Sequence, residues 1–446
     1  MRESRTAQSS LFDLYSPHKF GAFLGDLSRV LDDHPEILPL LEEGFRVEGT
    51  QATGRKGLSV ESTFRCMLLK QITGVSYEML AFHLTDSSSY RAFARLGRDC
   101  QPGKSALSGN IRRLRPQTLQ SVFQQLGISA FERGVMKTDC LRIDSTVVSS
   151  NIAPPSDSKL LDDGIRVLSR LMAKSCDCTG VKLRLTDYRK RSKSLAARIF
   201  YGKKADKETL YPELISLANR VLKQSDKAIE QVQRQGGESA LIQSWVDQVV
   251  HYRTLLERVI DQAERRVLKG EKVPASQKLV SLFEPHTDII IKGPRDIEYG
   301  HKVNLATDKN GLITALMIEK GNPTDVERFM PVIGAHQSLY GCVPETTIAD
   351  GGYASLDNID KAKALGIKRV GFHKKRGISL SAMGLKEKTL KKLRDFRAGV
   401  EGNISELKRA FGASKALWKG EDGFMSFVWA SVISYNLTRL VRLNSG

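Results

Sequence analysis

The chain has no apolar run approaching the roughly 18 residues of a membrane-spanning helix, which argues against a helical integral membrane protein. Nor does it open on the basic, apolar and small-residue order of a secretory signal, so the expected location is the cytoplasm. Cysteine is sparse. The six thiols, at 66, 100, 140, 176, 178 and 342, lack the density of a disulfide scaffold and are expected to be reduced. Cys176 and Cys178 form a lone CxC with no second Cys or His pair at zinc-finger spacing, so they read as ordinary thiols. Acidic residues are in deficit: 50 Asp and Glu face 69 Lys and Arg, a formal charge of +19. Such an excess calls for a polyanionic partner, nucleic acid ahead of a membrane surface. No internal repeat or low-complexity tract appears. The 446 residues, 41% hydrophobic and 27% charged, suffice for two or three packed domains.

From Ser9 to about Leu126 the pattern is helical. A helix is expected over 58–71 with Ser59 as N-cap; Gly74 breaks it, and Ser76 starts another through Tyr77, Leu80, Ala81 and Leu84. A short amphipathic piece over 105–114 ends before Pro116. Residues 1–130 therefore read as a helical domain, either helix-turn-helix-like or a plain bundle, and Arg112, Arg113 and Arg115 favour DNA contact. Strand texture begins at Cys140. Helical texture returns over 157–277, with long segments at 211–233 and 242–268. A hairpin follows, 301–307 and 312–318 about a turn at 308–311, then a helix over 324–336, strands at 346–349 and 368–372, and a helix over 386–411. This order describes a mixed α/β core, 135–155 and 286–420, interrupted after its first strand by a helical insertion, 156–285, and followed by a C-terminal helix, 421–446.

Asp144, in Arg-Ile-Asp-Ser-Thr, and Asp350, in Thr-Ile-Ala-Asp-Gly-Gly-Tyr, each end a predicted strand. Carboxylates at neighbouring strand tips can share two divalent cations about 3.5–4 Å apart, which suits in-line phosphoryl displacement. Gly351 and Gly352 permit a tight turn and leave room for a phosphate. Singly, each Asp is as readily a turn residue. Arg397, Glu401 and Lys408 fall at i, i+4 and i+11, within roughly 40° on a helix. They edge an apolar stripe of Leu393, Phe396, Val400, Ile404, Leu407 and Phe411. Glu401 is thus expected where helix meets core and Glu406 out in solvent. The alternative is an ordinary solvated Arg–Glu pair with a nearby Lys.

Together, Asp144, Asp350 and the R-x3-E-x6-K spacing of Arg397, Glu401 and Lys408 resemble the DDE signature of RNase H-like bacterial transposases. The match extends through Leu58-Ser-Val-Glu-Ser-Thr, Ser281-Leu-Phe-Glu-Pro-His-Thr-Asp and Gly300-His-Lys-Val-Asn-Leu, covers most of the chain, and resembles the ISNCY group of insertion-sequence transposases. It implies an RNase H-like catalytic core behind an N-terminal DNA-binding domain. It also implies that the three carboxylates bind two Mg2+ or Mn2+ ions, with Arg397 and Lys408 on phosphates. The implied partners are the terminal inverted repeats of the element, target DNA and a second copy of the chain in a synaptic homodimer, on the bacterial nucleoid. Related transposases carry a Tyr three residues before the Arg. Here Arg394 stands in that place, which leaves any step resting on that Tyr without its residue.

Within the insertion, 181–211 is rich in Lys and Arg, among them Arg189, Lys190 and Arg191, with Tyr188, Phe200 and Tyr201 interleaved. Cations release counterions from a phosphate backbone and aromatics stack on unpaired bases, so this stretch is expected to bind DNA. His286 and His301 carry no assigned role, His301 being expected nearer the site. Two other readings stay open: a nuclease that cuts without joining, and a DNA-binding protein that has lost catalysis.

Overall fold

The computed structural model describes residues 15–46, 57–97, 99–236, 239–291, 296–374 and 377–444, the side chains at 204–206 excepted. The chain divides into two compact units, Met1–Asn151 with Gly300–Gly446, and Ile152–Tyr299. In chain order the strands are β1 (Cys140–Ser150), β2 (Asp288–Ile291), β3 (Ile297–Thr307), β4 (Ile313–Ile318), β5 (Thr346–Ala349), β6 (Arg369–Phe372) and β7 (Lys415–Ala416). β2 lies in the second unit.

The sheet of the first unit runs β4-β3-β1-β5-β6. β3 is antiparallel to β1 and β4, whereas β5 is parallel to β1 and to β6. The β3–β4 turn forms as its residues dictate. Gly311 adopts φ +79°, and the Asp308 carboxylate accepts from the Leu312 and Lys137 amides at 2.8 Å. On one face Leu141 and Ile143 join Phe329 and Ile333 of the Asp325–Tyr340 helix. Thr324 and Glu327 close a capping box at the start of that helix.

The first seven helices belong to the same unit as the sheet. Val60–Thr73 has its N-cap bond from the Ser62 amide to Ser59 and ends on Gly74 at φ +66°; Ser76 caps Tyr77–Asp86. Gly74, Val75 and Ser76 are the whole connection between these two helices. Val60–Thr73 is buried nearly all round, because it packs among the other N-terminal helices and against the last helix, Glu421–Asn444. That last helix is buried from Phe424 to Val441 with few exceptions, and Phe424, Val428, Ile433 and Leu437 share one core with Leu27, Leu68 and Val303. Inside this core Arg65, 1% exposed, bonds Glu61 at 2.9 Å, Ser28 at 2.9 Å and Asp32 at 3.0 Å.

The second unit is helical through most of its length: Asp157–Ala173, Ser175–Thr179, Arg189–Tyr201, Lys204–Gly236 and Ala240–Ala263. The expected helix at 211–233 begins earlier, at Lys204, and carries Pro212 inside it. The one expected at 242–268 changes to a π turn at Glu264–Leu268. Its core gathers Leu161, Ile165, Leu214, Val221, Val249 and Leu256. The Gln262 amide ties the helix to the chain beyond, donating to Asp157 at 2.7 Å and accepting from the Leu279 amide at 2.7 Å.

Candidate active site

β1 is paired along one edge by β3, over Arg142–Ser149, but only in part along the other. There β5 covers Cys140–Ile143 and β7 covers Ser149 and Ser150, so no strand among the described residues pairs that edge between. Asp144 is the first residue past the last β5 rung, Ile143 opposite Ala349, and Asp350 is the first residue past the end of β5. The two carboxylates therefore stand at adjacent positions in register. Asp144 does not end its strand, as the sequence suggests; its neighbour ends, while β1 runs on because β3 keeps the ladder continuous.

The third element is the helix Glu387–Ala410, which packs on β1, β5 and β6 through Leu390, Leu393, Val400 and Leu407. It buries Arg397. One guanidinium nitrogen of Arg397 donates to Asp144 at 2.8 Å and lies 3.7 Å from Asp350, while the other donates to Glu401 at 2.9 Å. Three carboxylates, far apart in sequence, thus converge on one cation. They differ in depth: the Asp144 side chain is 14% exposed, Asp350 43% and Glu401 66%. Burial pushes the Asp144 carboxyl up to about 6, against the opposing pull of Arg397 and of the Ser145 amide, with Asp350 and Glu401 adding to the rise. Burial outweighs the pull of the arginine at the deepest carboxylate.

Among the described residues, no three Asp, Glu, His or Cys side chains stand close enough to hold one ion as they are arranged, because Arg397 lies between the carboxylates. The donor set nonetheless suits a hard divalent cation. It is all oxygen and acidic, and one guanidinium leaves three carboxylates incompletely neutralised.

Several expectations change. Glu406 is not the solvent-facing residue of the pair: its side chain is 27% exposed and bonded to Arg442 of the last helix, whereas Glu401 is the more exposed. The Gly351–Gly352 step serves protein packing. A Cβ on Gly351 would meet the Lys374 side chain at 2.8 Å, and one on Gly352 the Asp325 carboxylate at 2.8 Å. Lys408 is half-buried, about 10 Å beyond Glu401 along the axis at 1.5 Å per residue. His301 is buried, with Nδ1 3.0 Å from the Glu319 carbonyl and its ring on Phe424, and His286 pairs with Glu284 at 2.9 Å. Arg112 and Arg113 are exposed after the helix Lys104–Ile111, and Arg113 lies over the Phe45 ring. In the second unit Arg189, Lys190 and Arg191 form the first turn of their helix; Arg189 pairs with Asp187 at 2.7 Å and Arg191 with Glu213 at 3.0 Å.

Sequence reasoning missed the polar layer across the sheet from Asp144. Tyr353, fully buried, donates to Asn304 at 2.6 Å; Asn304 donates to Glu319 at 2.9 Å; Lys302 donates to Asp325 at 3.2 Å. Its signal was the alternation of Lys302 and Asn304 along β3, which places both on one face.

Acidic residues at adjacent positions on two neighbouring strands, one inside β1 and one past the end of β5, faced by a basic helix residue in a strongly cationic chain, suit an enzyme acting on nucleic-acid phosphodiesters. Residues 291–437 match the transposase DDE domain, and residues 12–113 match a second transposase domain. The chain is a DNA transposase of the DDE class. Asp350, Arg397, Glu401 and Lys408 fall inside the DDE match, while Asp144 lies upstream of it. No curated protein and no solved structure matches the chain. The class carries a dependence on divalent metal. No helix among the described residues is long and apolar enough to cross a membrane.

Proposed function

We propose that this transposase binds the terminal repeats of an insertion sequence of the ISNCY group, cuts there and joins the freed ends to target DNA, with Asp144, Asp350 and Glu401 as its catalytic carboxylates. The observation that carries the reading is the convergence of these three residues, from β1, the end of β5 and a helix, on the single guanidinium of Arg397. The strand order and the parallel placement of β5 and β6 beside an antiparallel β4-β3-β1 meander support an RNase H-like core. The three carboxylates would hold two Mg2+ or Mn2+ ions, which supply charge neutralisation of the attacked phosphate and an acidified nucleophile when bound.

The chain's own groups do the rest. Asp144, deepest in the site, provides the least solvated oxygens, and Glu401, at the mouth, stands toward incoming DNA. Arg397 would be placed to grip a phosphate with two nitrogens wherever its carboxylates are neutralised by other cations, and Lys408 would add a point charge further along the helix. The N-terminal helices, with Arg112 and Arg113, and the basic helix of the second unit provide DNA contacts. A homodimer would bring two ends together, in the cytoplasm where the nucleoid lies.

Single-turnover reactions on a labelled terminal-repeat duplex in Mg2+, followed by a strand-transfer reaction with plasmid target, test the reading. Cleavage without joining would reduce the protein to a nuclease, and absence of both would remove the proposal. Arg397→Lys keeps the charge but loses the planar fork, so its cleavage rate is expected to fall roughly tenfold or more at saturating protein. An unchanged rate would show that the fork is not used.

A separate expectation concerns the second unit. Neutralising Arg189, Lys190 and Arg191 together should weaken DNA binding irrespective of sequence and lower the salt dependence by up to about one logarithmic unit of slope per lost phosphate contact. Arg189 and Arg191 already hold acidic partners, so Lys190 should contribute the larger share. A loss confined to terminal-repeat sequence would assign recognition to this helix instead.

A further inference from the structure

Two residues before Asp144, and on the same face of β1 because side chains alternate along a strand, lies a second buried arginine whose bonds reach three parts of the first unit. Arg142 is 6% exposed. Its Nε donates to Thr307 Oγ1 at 2.9 Å, one terminal nitrogen donates to the Asp308 carbonyl at 3.0 Å, and the other donates to the Phe396 carbonyl at 3.0 Å. Its guanidinium also covers the Phe396 ring at 4.6 Å. Phe396 is the residue before Arg397. A side chain of β1 therefore joins the end of β3 to the middle of the helix that carries Arg397 and Glu401.

The helix is adapted to this contact. Position 399, between Arg397 and Glu401, is glycine, a poor helix former in the interior of a 24-residue helix. A Cβ there would stand 2.0 Å from the Arg142 terminal nitrogen that reaches the Phe396 carbonyl. The missing methyl is the space the guanidinium occupies.

From this fit we infer that Arg142 and Gly399 form a positioning pair that fixes the helix against β1 at the depth where Arg397 and Glu401 meet Asp144. Arg142 touches none of the three carboxylates in the contacts described above; it acts through the Phe396 carbonyl. The inference rests on the assignment of those carboxylates as the active site.

The decisive variant is Gly399→Ala. Alanine is the better helix former, so a purely structural role for this position predicts an equal or higher unfolding midpoint and unchanged cleavage. The positioning role predicts that the methyl evicts the guanidinium from the Phe396 carbonyl and shifts the helix. Displacement of reacting groups by about 1 Å costs about 100-fold in rate. The expected result is single-turnover cleavage down by about 10-fold to 100-fold at a temperature where circular dichroism shows the variant folded, with duplex binding held. In DNA-free protein, Mn2+ binding read by water-proton relaxation should weaken in the same variant.

Arg142→Ala removes the group that the methyl strikes, so adding Gly399→Ala to Arg142→Ala should cost no further activity. Arg142→Lys, which cannot bond three acceptors in one plane, should fall below wild type. Wild-type cleavage and Mn2+ binding in Gly399→Ala, or a cleavage loss that adds in full to that of Arg142→Ala, would overturn the inference. Glu401→Gln, run alongside, separates the two failures. If it cleaves like wild type, the active-site assignment falls. If it is inactive while Gly399→Ala is normal, only the positioning pair falls.

Discussion

Glu401→Gln should lose Mg2+-dependent cleavage of terminal-repeat DNA by about three orders of magnitude, roughly 4 kcal/mol at 1.36 kcal/mol per decade, while still binding the duplex. The substitution keeps the size of the side chain and removes its charge. Glu401 is 66% exposed, and its one described ion pair is to Arg397, so folding should be little affected. Glu406→Ala is the internal control. Its pair with Arg442 is partly exposed and worth at most about 1 kcal/mol, and the pair lies on the side of the helix facing Glu421–Asn444. Near wild-type cleavage is expected there. Equal loss in the two variants, measured under single turnover at saturating protein, would mean that the helix presents a different residue to the reaction.

The second large effect is on stability. Arg65→Ala should lower the free energy of unfolding by about 3–5 kcal/mol, because it empties a fully buried volume and strands its partners. Glu61, 4% exposed, would keep its contact with Arg95, and Asp32 would keep its own, which favours the lower end of that range. Arg65→Met fills the space without the charge and should cost less. Urea unfolding followed by circular dichroism distinguishes them. A loss under about 1 kcal/mol for Arg65→Ala would show that the network is no more than a surface-strength contact.

Much of this arrangement was legible in the sequence, for reasons that vary with the residue. Ser59, Gly74 and Ser76 mark helix ends through local chemistry that needs no tertiary information, and all three act so in the structure. The strand expected at 346–349 is found there, since a β-branched run before Asp-Gly-Gly leaves few alternatives. Where partners come from distant segments, the reading failed. Helical angle alone placed Glu406 in solvent, but the last helix covers that side and brings Arg442 to it. Asp144 seemed to end a strand because the break belongs to β5, whose register against β1 no local pattern reveals. Arg142 could not be singled out without knowing that Phe396 lies above it, although the glycine in Arg397-Ala-Gly-Val-Glu401 was a visible sign that something approaches that helix closely.

The pairing of Ser149 with Gly300 has a consequence for how the chain reaches its native state. These neighbours on adjacent strands are separated by the entire second unit, so the β1–β3 ladder is a contact of very long sequence separation. Closing a flexible loop of about 150 residues costs roughly 3 kcal/mol more than closing one of a few residues. A second unit that folds by itself brings its two ends together beforehand and spares the sheet most of that cost. The helical insertion would then act as an internal template for assembly: the acidic site forms more readily once the segment that interrupts it has collapsed, and variants that loosen the insertion's own core should slow refolding of the sheet even where no residue of the sheet has changed.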